Sequence, residues 1–100
     1  MFIAMNRFQI ARGREDDFVA VWSQRESYLD GVPGFREFHL LRGSQTDAYT
    51  LFASHSVWES QAAFDDWTKS DSFRNAHRNA GDTKGIYLGH PQLELFEAVL

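Results

Sequence analysis

The chain has 100 residues and a formal net charge of -4, with 43% hydrophobic and 15% aromatic residues and no cysteine. That length makes one domain, 1–100, and nine Phe with three Trp argue against disorder and leave aromatics for an interface or a ligand pocket. Lacking Cys and any run of Lys or Arg, the chain is expected to carry no disulfide, thiolate metal site, nucleic-acid surface or anionic-membrane surface. The composition fits a reducing, cytoplasmic setting, and no apolar stretch is long enough to span a bilayer.

Phe2–Ile10 alternates, with Phe2, Ala4, Asn6, Phe8 and Ile10 on one face and Ile3, Met5, Arg7 and Gln9 on the other. The period predicts a strand, and no basic segment precedes a long apolar one as in a signal peptide. Asn6 is the misfit, a polar side chain in the middle of an apolar face. Gly13–Leu29 has helical spacing. Phe18, Val21, Trp22, Arg25 and Leu29 form its stripe, and Glu15, Asp16 and Asp17 lie in its first turn, where the helix dipole favours acids. Asp30-Gly31 and Pro33-Gly34 end it.

Phe35–Arg42 predicts a second strand, with Phe38 and Leu40 opposite His39 and Leu41. Gly43–Asp47 is a polar hairpin connection and Ala48–His55 a third strand. Ser56-x-x-Glu59 reads as a capping box opening a helix that carries Ala63, Phe64 and Trp67. Ser70-Asp71 reads as a fresh N-cap for a short helix to about His77 or Asn79. Asn79–Pro91 is loop-like, punctuated by Gly81, Gly85, Gly89 and Pro91. Leu93–Leu100 is a last strand. The order β-α-β-β-α-β predicts an α+β, ferredoxin-like fold: a four-stranded antiparallel sheet with helices on one face. The other face keeps apolar residues, so two sheets are expected to pair into a homodimeric β-barrel.

Asn6, Trp67 and His77 are each ordinary alone: a buried Asn bonds nearby backbone, a Trp on an apolar helix face is core, and a His at a helix end favours the dipole. Together, Phe2-Ile3-Ala4-Met5-Asn6-Arg7-Phe8, then Val57-Trp58-Glu59-Ser60 through Ala63-Phe64-Asp65-Asp66-Trp67, Lys69-Ser70-Asp71, Phe73 and Ala76-His77 carry a resemblance. The chain resembles the haem-degrading monooxygenases of the staphylococcal iron-acquisition type, within the antibiotic-biosynthesis-monooxygenase (ABM) superfamily of dimeric α+β barrels. Residues 79–91 take no part in it.

The resemblance implies an O2-dependent oxygenase in which haem is both substrate and cofactor and an external reductase supplies electrons. His77 would be the iron ligand. Asn6 would stand on the distal side as a hydrogen-bond donor, and Trp67 would press the porphyrin out of plane. The product would be iron and a bilin-type chain. The residues fit this chemistry: Phe64, Trp67, Phe73 and the apolar face of the first strand supply a slot for the macrocycle, and a single His leaves the sixth iron position open. Arg25 and Arg78 read first as solvated arginines, with pairing to propionates as the alternative for either. His39, His55 and His90 take surface, strand-end and loop positions.

On one straight helix Trp67 and His77 would stand about 15 Å apart along the axis, so the reading requires a helix break at Ser70-Asp71. Three other functions remain open: a cofactor-independent superfamily monooxygenase acting on an aromatic or quinol substrate, a haem carrier that leaves its cargo intact, and a small dimeric protein without a ligand.

Overall fold

The computed structural model describes residues 1–25, 29, 31–71, 73 and 85–100. Its elements run β1 (Phe2–Ala11), α1 (Glu15–Arg25), β2 (Phe35–Gln45), β3 (Tyr49–Trp58), α2 (Gln61–Thr68) and β4 (Gln92–Glu97). The strands form one antiparallel sheet in the order β2-β3-β1-β4. This is the ferredoxin-like arrangement that the alternating and helical periods predict.

The side chains of β1 divide as their period requires. Phe2, Ala4, Phe8 and Ile10 are buried on the face that the helices cover. Among the described residues the buried side chains there sort into two clusters, joined through the stacked rings of Trp22 and Phe38 at 5.7 Å. One cluster gathers Phe2, Ala4, Leu29, Trp58 and Phe64. The other gathers Phe8, Ile10, Phe18, Phe52 and Ile86. Helix α2 supplies Phe64 to the first and α1 supplies Phe18 to the second, so each helix covers one end of β1, and Asn6 falls between them.

The last strand runs Gln92–Glu97 and not Leu93–Leu100, and three further boundaries depart from the sequence reading. First, Ser56-x-x-Glu59 is not a capping box. β3 runs on to Trp58, and Ser60 caps α2 instead, its Oγ accepting from the Ala63 N–H at 3.2 Å. Tertiary bonding overrides the local motif: Trp58 is fully buried, its Nε1 donates to Ser56 Oγ at 2.9 Å, and Ser56 Oγ donates to the Ala4 carbonyl at 3.2 Å. Second, the β2–β3 connection is shorter than Gly43–Asp47. β2 reaches Gln45 through an irregularity after Arg42, and Thr46 closes the turn with its N–H on the Tyr49 carbonyl at 2.7 Å. Third, the end of the expected 79–91 loop is tied to the sheet. The Ala11 N–H donates to the Ile86 carbonyl and the Leu88 N–H to the Gln9 carbonyl, both at 2.8 Å, and Ile86 is buried.

The uncovered face carries Ile3, Met5, Leu41, Leu51 and Phe96. His39 and His55 oppose each other there with ring centroids 6.4 Å apart, and Arg7 pairs with Glu94 at its margin. No helix among the described residues is long and apolar enough to cross a membrane.

Candidate functional site

The site is built on the covered face at mid-sheet. Opposed residues of an antiparallel pair share a face, so the registers Leu40↔Ser54, Asn6↔Ser54 and Asn6↔Leu93 set one row across the strands. The row beside it holds Ala4, Ser56 and Leu95. None of these side chains titrates. Leu93 and Leu95 are exposed on this face, so the floor is apolar apart from its two serines and Asn6.

Asn6 Oδ1 is buried and has no hydrogen-bond partner among the described residues. A buried amide oxygen without a donor is costly, on the order of 1–3 kcal/mol, and such groups gather at functional sites. The misfit in the strand pattern is therefore a polar group whose oxygen the described residues leave unbonded.

Trp67 sits on α2 at the Phe2 end of the sheet. Its ring lies 5.4 Å from Trp58, 6.3 Å from Phe64 and 4.9 Å from Phe73, the last contact edge-on. Its Nε1 is likewise buried without a partner among the described residues. Phe64 is buried and Phe73 half-buried. A groove of about 580 Å³ runs beside α2 and the 31–34 segment, with Val32, Pro33, Ala63, Asp66 and Trp67 among its lining.

The helix does break where the haem reading needs it. α2 ends at Thr68 with Lys69 as its C-cap. Ser70 Oγ donates to the Trp67 carbonyl at 2.6 Å and accepts from the Phe73 N–H at 3.2 Å. Asp71 and Phe73 are helical again. The serine closes one helix and caps the next turn, as its hydroxyl can do both. His77 and Arg78 lie outside the described residues, as does the side chain of Arg25. Among the described residues no three His, Cys, Asp or Glu side chains group as a metal site.

Sequence reasoning missed Ser54. It is a buried polar residue opposite Asn6, and the alternation Thr50, Phe52, Ser54, Ser56, Trp58 was the signal that placed it on the covered face. It also missed Ile86, whose burial follows from pairing with β1 and has no periodic signature in a glycine-rich stretch.

With this geometry in hand, the comparisons with known proteins bear on the family. The description of antibiotic biosynthesis monooxygenases matches residues 1–79. The chain belongs to the antibiotic biosynthesis monooxygenase family. Within reach of this ABM chain is a curated protein of Staphylococcus aureus (strain Newman), "Heme oxygenase (staphylobilin-producing) 1". It is 28% identical over 78 residues, covering 78% of this chain and 72% of the relative. Among solved structures, a MhuD variant with two manganese protoporphyrin IX molecules per active site superposes at a TM-score of 0.80. It has 23% identity and covers 100% of this chain and 96% of that one. SnoaB from Streptomyces nogalater, a cofactor-independent oxygenase, superposes at 0.75 with 22% identity, covering 99% and 93%. The ABM fold therefore holds over the whole chain.

Proposed function

We propose that this ABM-family oxygenase degrades haem, with His77 as the iron ligand, Asn6 as the distal donor and Trp67 shaping the macrocycle. One observation carries the reading. Asn6 Oδ1 and Trp67 Nε1 are buried polar atoms with no partner among the described residues, and they occur on two of the three side chains that the reading needs. Haem suits the surroundings: the row around Asn6 has no charged side chain, and it lies between two clusters rich in aromatic residues. Phe73 and Ile86, on either side of His77 in sequence, are anchored in different clusters on opposite sides of Asn6. The staphylococcal relative, named a haem oxygenase, points the same way.

Haem is the substrate, and its iron supplies the oxygen chemistry when an external reductase delivers electrons. The chain's own residues orient it. Phe64 and Phe73 pack beside Trp67 and exclude water. The Asn6 amide brings a donor without a titratable proton, so it directs a hydrogen bond without closing the iron. Trp67, packed beside Phe64 and Phe73, would bear on the macrocycle, and the strain of that contact would favour ring opening. A bilin-type product and free iron follow. The uncovered sheet face, with Ile3, Met5, Leu41 and Phe96, pairs with a second copy to form the barrel, and the enzyme works in the cytoplasm.

Hemin titration tests this reading. A Soret band is expected for the wild type and an altered coordination spectrum for His77→Ala. With ascorbate, O2 and catalase present, the band is expected to decay to a product whose mass matches an opened ring. A stable band means a haem carrier. No band at all means a cofactor-independent oxygenase or a protein without this ligand. Sedimentation at micromolar concentration checks the dimer.

A further inference from the structure

The roles above leave one polar residue of the site unused. Ser54 stands directly opposite Asn6 in the β1–β3 register and is 8% exposed. Opposed residues have Cβ atoms about 4.5–5.5 Å apart, which places a hydroxyl beside the Asn6 amide, without a direct bond to Oδ1 and within reach of it through one water.

The two ends of that amide are chemically opposite and nearly identical in shape. Oδ1 accepts and Nδ2 donates, so packing alone does not decide which end faces the cavity. A distal donor needs Nδ2 there. The end turned into the protein is then Oδ1, which is buried and lacks a donor. The neighbouring side chains offer few. Leu40 and Leu93, in the same row, have no polar atom. Phe8 and Phe52, one row toward Ile10, have none either. Ser56, one row toward Phe2, has spent its proton on the Ala4 carbonyl. Among these described neighbours, Ser54 alone has a hydroxyl proton to give.

We infer that Ser54 is a positioning residue for Asn6: its hydroxyl, not bonded directly to Oδ1, reaches it through one water and holds the amide with Nδ2 facing the substrate. The inference rests on the distal role proposed for Asn6. Ser54 touches no reacting atom. It fixes which end of another side chain does.

The C–O stretching frequency of carbon monoxide on the ferrous haem-loaded protein reads this directly, because a donor near the ligand oxygen lowers it and an acceptor raises it. The expected result is a low frequency in the wild type, an upward shift in Ser54→Ala, and a return to the wild-type value in Ser54→Thr, which keeps the hydroxyl. An unchanged frequency in Ser54→Ala, with a shift in Asn6→Ala, overturns the inference and leaves the distal role standing. An unchanged frequency in Asn6→Ala overturns both. The protein without haem gives a second readout. The side-chain amide resonances of Asn6 are expected to move in Ser54→Ala and to be kept in Ser54→Thr, and an absence of movement counts against the inference.

Discussion

Gly34 and Ala63 meet with no room for a side chain between them: a Cβ built on Gly34 would overlap the Ala63 methyl. Gly34 also has φ +81, and its carbonyl accepts from the Glu59 N–H at 2.7 Å just before α2 begins. Gly34→Ala therefore meets backbone strain and overpacking together, a loss of about 2–4 kcal/mol. Chemical denaturation measures it. Adding Ala63→Gly is expected to return the steric part, and a double-mutant cycle separates the two terms. Since α2 carries Trp67, Gly34→Ala is also expected to weaken haem binding.

Ser70 links the end of α2 to the turn at Phe73. Ser70→Ala leaves the Phe73 N–H without its cap, a loss of about 1 kcal/mol. Its effect on hemin affinity is expected to exceed its effect on the thermal midpoint, because the capped turn leads toward His77. Equal small effects on both would mean that the break is structural only.

Trp67→Phe keeps an aromatic ring among Trp58, Phe64 and Phe73 but removes Nε1 and ring area. Haem is expected to bind. Losing about 1.4–3 kcal/mol of substrate strain slows ring opening by about 10- to 100-fold, which single-turnover decay of the Soret band measures.

Glu15 opens α1 and ties it to the β2–β3 hairpin. Its carboxylate is held below the ordinary range by its own backbone N–H and by the Thr50 hydroxyl at 2.8 Å, with the Gly13 N–H and Gln45 helping and desolvation opposing. A depressed folded-state value means the unfolded chain takes up protons first as pH falls. The stabilisation is complete above the ordinary carboxylate range and is lost as pH falls through the folded value. Thermal midpoints against pH are expected to fall less steeply on the acid side for Glu15→Gln than for the wild type, from a lower neutral-pH plateau.

Much of this was legible from the residues alone, where one period dominates. The strand at β1, the helix carrying Phe64 and Trp67, and the break at Ser70 follow from alternation, helical spacing and a cap. Asn6 was visible because it violates its own strand's pattern. What was not legible depends on partners distant in sequence. Ser56 resembles a helix cap until Trp58 and Ala4, from another strand, claim its hydroxyl. Ile86 looks like loop until β1 pairs with it. Ser54 has no meaning until the register places it beside Asn6.

The row around Asn6 has a thermodynamic consequence. It lies between the two clusters of buried residues, and a ligand that packs on it adds burial, so stability is partly a function of ligand concentration. At 100-fold excess over the dissociation constant, binding to the folded state alone adds about 2.7 kcal/mol. Under the proposed function, in which the ligand is degraded, each turnover would also remove a stabiliser. The protein would then be most resistant to unfolding when supplied and least resistant when its work is done.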